Sequence, residues 1–129
     1  MRVLLDTHAF IWWVTNDSQL SDAARACIAD PDNNVFLSTA SAWEIVIKVN
    51  IGKLILPEPP ESYIPSRRLA SNQLESLPIQ MNHVLQVSAL PNHHRDPFDR
   101  ILIAQSQVEP LPILTADNLI AQYSVNVIW

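Results

Sequence analysis

Short apolar runs alternate with longer helical patterns along the chain. Val3-Leu4-Leu5 is an apolar run that stops at Asp6 and reads as a buried strand. Ala9 to Val14 is apolar and aromatic, and Asn16-Asp17 after it reads as a turn. Ser21 is placed to cap a helix that runs to Ala29 and closes at Asp30-Pro31. Val35 to Leu37 forms a second strand. Ala40 to Asn50 has helical composition, with Gly52 beyond it as a C-terminal cap. Past the proline-rich 57–60 segment, the pattern predicts a helix over Glu61–Leu74, although Pro65 weakens its first turn. A short strand over Leu77–Ile79 and a helix over Asn82–Leu90 come next. Asp96 and Pro97 open a helix as cap and first residue, with Phe98, Ile101, Leu102 and Val108 at helical spacing. Leu111–Leu114 is a third clear strand, Asp117 caps a short helix, and Val125–Trp129 is a final strand.

Strands separated by helices imply an α/β domain, with a mainly parallel sheet covered on both faces. The 129 residues suit one domain, residues 1–129, and 48% hydrophobic residues suffice for a real core. A lone cysteine, Cys27, rules out an internal disulfide and a cysteine-based zinc cage, and suits a reducing compartment such as the cytoplasm. No apolar run reaches the roughly 18–20 residues that span a bilayer, and Asp6 and His8 interrupt the start before a leader-like apolar region forms. No membrane association is therefore expected. The net charge of −5 argues against a nucleic-acid partner, unless several acids converge on cations that reverse the local sign.

The positions of the acids bear on that exception. Asp6 follows the first strand and Asp117 follows the Leu111–Leu114 strand, at the ends where such sheets bind ligands. Asp99 lies in the first turn of its helix. Glu44 sits in an almost wholly apolar helix, where a carboxylate needs a cation or donors. Carboxylates without histidine or cysteine partners select hard cations such as Mg2+ or Mn2+, and a pair of these about 3.5–4 Å apart can clamp a phosphodiester for in-line attack. Plainer roles stand beside this one. Asp6, Asp96 and Asp117 can be helix caps, Glu44 can pair with Lys48, and Asp99 can be a third-position acid of a helix start. His8 can touch substrate or simply pack. Arg95, Arg100 and Lys48 are candidates for phosphate contacts or for surface ion pairs. Trp12, Trp13 and Trp43 can stack on bases or fill the core. His93 and His94 are poor candidates for holding a hard ion.

Leu4-Leu5-Asp6-Thr7-His8, Ser41-Ala42-Trp43-Glu44-Ile45, the run from Asp96-Pro97-Phe98-Asp99-Arg100 to Gln105, and Leu114-Thr115-Ala116-Asp117 occur in the order of a PIN domain. Over nearly the whole chain the sequence resembles that family, and within it the VapC-type ribonuclease toxins of bacterial toxin–antitoxin modules. The resemblance implies a three-layer α/β/α sandwich and an endoribonuclease using Mg2+ or Mn2+, which hydrolyses RNA with a metal-activated water. It maps the family's four acids onto Asp6, Glu44, Asp99 and Asp117, an additional acid onto Asp96, and a hydroxyl that steadies the acids onto Thr115. It also implies a homodimer and a cognate antitoxin. Two other functions fit the residues less well. One is phosphoryl transfer through an aspartyl-phosphate on Asp6, but His8 stands where such phosphatases place a second aspartate, and the late lysine of response-regulator-like domains is missing, Lys53 being the last. The other is a module that binds RNA or antitoxin without cutting, which requires the acids not to converge.

Overall fold

The computed structural model describes residues 1–70, 74–93 and 95–129, excepting the side chains of 67–70. Its strands are β1 (Arg2–Leu5), β2 (Asn34–Ser38), β3 (Leu74–Leu77), β4 (Ile113–Leu114) and β5 (Val127–Ile128). The helices are α1 (Thr7–Val14), α2 (Asp22–Ala29), α3 (Thr39–Asn50), α4 (Pro60–Ala70), α5 (Met81–Gln86) and α6 (Pro97–Val108). Single 3-10 turns occur at Val87–Ala89 and Ile120–Gln122.

The strands form one sheet in the order β3-β2-β1-β4-β5, and every pairing is parallel. Alternation along β1 separates two cores. Val3 and Leu5 face a cluster with Phe10 of α1, Ile28 of α2, Ile45 of α3 and Ile64 of α4. Leu4 faces the other way, with Phe36, Ile113, and Leu102 and Ile103 of α6. Both faces are thus covered by helices, which gives the expected α/β/α sandwich and explains why the strands read as continuous apolar runs. Between β3 and β1 the chain fills one side of β1, and β4 then crosses to the other. The β1–β4 junction is therefore the topological switch point, where a crevice opens beyond the strands' C-terminal ends.

Local chemistry fixes the helix ends. The Ser21 and Ser38 side chains cap α2 and α3 by accepting from Ala24 N and Ala40 N. At the far end of α3, Gly52 N donates to the Val49 carbonyl and Lys53 N to the Lys48 carbonyl. This paired closure requires the left-handed backbone that Gly52 adopts, with φ +76°.

One stretch departs from the sequence pattern. Leu74 is not in the fourth helix but opens β3, and the strand expected over Leu77–Ile79 lies instead at Leu74–Leu77. Pro78 is the physical reason: it has no N–H for a ladder, so a strand inside the sheet ends before it. In the observed register Leu74 pairs with Val35 and Leu77 with Ser38, which puts the two leucines in opposite cores. The last two strands are also shorter than the apolar runs that announced them.

Candidate active site

The crevice beyond β1 and β4 gathers the predicted acids. Asp6 is the N-cap of α1, and its Oδ1 accepts from Ala9 N at 2.7 Å. Oδ2 accepts from the Thr115 hydroxyl at 2.5 Å, reaching across from β4. Thr115 Oγ1 accepts in turn from Asp117 N at 3.0 Å, and Asp117 Oδ1 accepts from Leu119 N at 2.8 Å. One buried hydroxyl therefore ties the first acid to the last, 111 positions along the chain from it. Register allows this, because Leu5 pairs with Leu114 and the two strands end side by side.

Glu44 enters from α3. It is buried, and its Oε1 accepts from the Thr7 hydroxyl at 2.7 Å, while its Oε2 meets Lys48 Nζ at 3.0 Å. Thr7 Oγ1 also lies 3.0 Å from Ser41 Oγ. The pairing with Lys48 and the burial in an apolar helix are thus both true of Glu44. Thr7 and Ser41 were not read as site residues from the sequence. A threonine directly after Asp6, in a helix facing a lone buried glutamate, was the available signal. Asp96 caps α6, with Oδ1 accepting from Phe98 N at 2.9 Å and Asp99 N at 3.2 Å.

Electrostatics shows that the acids share one neighbourhood. Burial pushes the Asp99 carboxyl up to about 7, and the negative charges of Asp96, Glu44, Asp117 and Asp6 push it the same way. Asp6 is also raised, first by burial and least by Asp117, against the bonds from Thr115 and Ala9 and the charge of His8. Among the described residues no three His, Cys, Asp or Glu side chains already close around one point. The acids face a common space without forming a finished cage.

The remaining candidates divide. Lys48 and Arg95 line a cavity of about 480 Å³ that also holds Glu44 and Asp96. Arg100 donates to the carbonyls of Pro91 at 2.9 Å and Val87 at 3.4 Å and to the Tyr123 hydroxyl at 3.2 Å, so it braces the 87–91 segment. His8 is exposed and packs its ring against Trp12. His93 lies against Tyr123, and His94 is outside the described residues. Trp12 and Trp13 are partly buried against the first core, as their spacing suggested, whereas Trp43 is 59% exposed.

Fold and site together define a parallel α/β/α domain with an oxygen-rich acidic crevice at its switch point. The PIN domain family model matches residues 3–126, and the chain belongs to the PIN domain family. A curated relative, Ribonuclease VapC16 of Mycobacterium tuberculosis, is 54% identical over 43 residues, 33% of this chain. That stretch spans 30% of the relative's length. Among solved structures, VapBC2 from Rickettsia felis bound to a DNA fragment from their promoter has a TM-score of 0.71 at 11% identity, covering 99% of this chain and 98% of that one. VapBC-1 from nontypeable Haemophilus influenzae has a TM-score of 0.65 at 16% identity, covering 99% and 97%. At these identities the two structures establish the shared fold.

Proposed function

We propose that this PIN domain is a metal-dependent endoribonuclease and the toxin component of a toxin–antitoxin pair. The observation that carries the reading is the electrostatic coupling of the five acids: burial pushes Asp99 up to about 7, and the charges of Asp96, Glu44, Asp117 and Asp6 push it the same way. So much like charge in one crevice is stable only with protons or cations present. All the donors are oxygens, which fits Mg2+ or Mn2+. The open arrangement fits Mg2+ as well, since that ion keeps several waters and takes one or two carboxylates plus substrate phosphate.

Asp6, Glu44, Asp99 and Asp117 would hold the cation, with Asp96 at the margin. When bound, it supplies charge neutralisation and an activated water for in-line attack on phosphorus. Thr115 keeps Asp6 and Asp117 in register, and Thr7 holds Glu44 toward the crevice. With its carboxyl raised to about 7, Asp99 holds a proton about half the time in the metal-free protein at neutral pH, and cation loading would displace that fraction. Lys48 and Arg95 stand where they can neutralise phosphates beside the acids. Both Asp6 oxygens already accept hydrogen bonds, which favours a ligand role over attack as a nucleophile. The partial likeness to a ribonuclease and the fold shared with VapBC proteins support RNA as substrate and an antitoxin as partner. A homodimer in the cytoplasm completes the reading. No helix among the described residues is long and apolar enough to cross a membrane.

The test is cleavage of a mixed RNA pool in Mg2+ or Mn2+ by the unaltered protein, Asp6→Asn and Asp99→Asn. Cleavage lost with chelator and in both variants supports the reading. A folded, metal-supplied protein that cuts nothing refutes it and leaves a binding module.

A further inference from the structure

Trp43 is the least expected feature of the surface. It is 59% exposed on α3, beside the buried Glu44, and its ring meets Phe98 edge to face with centroids 5.1 Å apart. Each of these aromatics immediately precedes one of the acids, Glu44 or Asp99. Phe98 also lines the cavity that holds Glu44 and Asp96, so the pair stands beside those two acids.

Two cavities adjoin it. One is an apolar groove of about 550 Å³, lined by Trp43 and Phe98 together with residues such as Ile79, Val84 and Ile101. That volume lies within the range of small-molecule sites. The other is the polar cavity of about 480 Å³, which adds Lys53 to Lys48 and Arg95. Arg95, Pro97 and Phe98 line both, so the cavities share a wall. In a chain of net charge −5 with eight lysines and arginines, four of the eight (Lys48, Lys53, Arg95 and Arg100) line these two spaces. An exposed aromatic over an apolar groove, flanked by the chain's scarce cations, is complementary to a nucleobase attached to phosphates.

Resting on the ribonuclease reading, we propose that Trp43, backed by Phe98, is the stacking platform for one unstacked base of the RNA, with Lys53 and Arg95 taking the phosphates beside it. A base can reach this platform only when turned out of a helix, so the site selects single-stranded or looped RNA. Stacking also tolerates any base, so the platform favours strand state over sequence.

The probe is a labelled 12-nucleotide RNA, as a single strand and as a duplex, bound at low salt in Mg2+ by the Asp6→Asn protein. Adding Trp43→Leu, which keeps an apolar side chain but removes the ring, is expected to weaken single-strand binding about tenfold or more. Trp43→Phe is expected to stay within about threefold, since a stacking face remains. Lys53→Gln is expected to flatten the salt dependence for the single strand by about one charge. Single-strand binding unchanged by Trp43→Leu overturns the platform, as does an equal loss for strand and duplex. Unchanged RNA binding with an altered oligomeric state gives the groove to a second copy of the chain. These results leave the ribonuclease reading standing if the unaltered protein still cuts RNA. Absence of both cutting and binding by the unaltered protein overturns both.

Discussion

At the residue scale, the site turns on Asp99 and on the hydroxyls of Thr115 and Thr7, which hold Asp6 and Glu44. The Asp99 pKa of about 7 lies above the ordinary value of 3.8. The folded metal-free protein therefore binds a proton that the unfolded chain has lost across that interval. Its stability from this group is greatest below about pH 4 and falls as pH rises toward 7. Asp99→Asn should abolish that fall. Melting in chelator at pH 8 is expected to show the variant higher by about 4 °C, the shift that about 1 kcal/mol gives in a domain of this size, after discounting for solvent screening. A variant that melts lower at pH 8 contradicts the repulsion. Thr115→Val removes a buried bond to Asp6 and leaves Asp117 N without its acceptor. RNA cleavage should fall about 5- to 150-fold, the effect of losing roughly 1–3 kcal/mol of hydrogen bonding, and Thr115→Ser should recover most of it. Asp6, Asp99 and Asp117 were legible in the sequence because they follow strands or open helices. Thr7 and Ser41 were not, because a buried hydroxyl leaves no periodic signature. The exposure of Trp43 was hidden too, since an apolar run does not say which helix face the sheet takes.

At the element scale, the caps of α1 and α6 and the β1–β4 pairing fix where the acids sit. Gly52 shows how sequence and element agree: it stands past α3 with φ +76°, and an added Cβ would meet nothing within 4 Å. Gly52→Ala should therefore cost about 1–2 kcal/mol through backbone conformation alone, read as a lower urea midpoint at unchanged slope. A neutral substitution contradicts the cap. Leu4, fully buried in the central strand, should cost about 2–5 kcal/mol as Leu4→Ala. Helices with a serine or aspartate before an apolar repeat were readable with little error, as Ser21 and Asp96 show. The passage from α4 to β3 was not. Its apolar residues Leu74 and Leu77 fit a helix face and a two-sided strand alike, and pairing with β2 decided between them.

At the scale of the whole molecule, strand order places the site. The 3-2-1-4-5 arrangement pairs β1 with β4 and so brings their ends side by side, and an acid near the start of the chain shares a hydroxyl with one near its end. The sequence announced parallel α/β architecture through its buried runs, but strand order depends on pairing between distant segments. The charge balance also makes sense only here: the chain is acidic overall, and half its lysines and arginines line the two cavities beside the acids. Manganese should therefore stabilise the fold, by about 2.7 kcal/mol at a hundredfold excess over its dissociation constant. The most direct test is a calorimetric titration of Mn2+ into the protein at pH 6.5, in two buffers of different ionisation enthalpy, for the unaltered chain, Asp6→Asn and Asp99→Asn. Saturable binding with release of part of a proton is expected, weakened about tenfold or more in both variants, with the proton release gone in Asp99→Asn. Equal binding in all three proteins would contradict it.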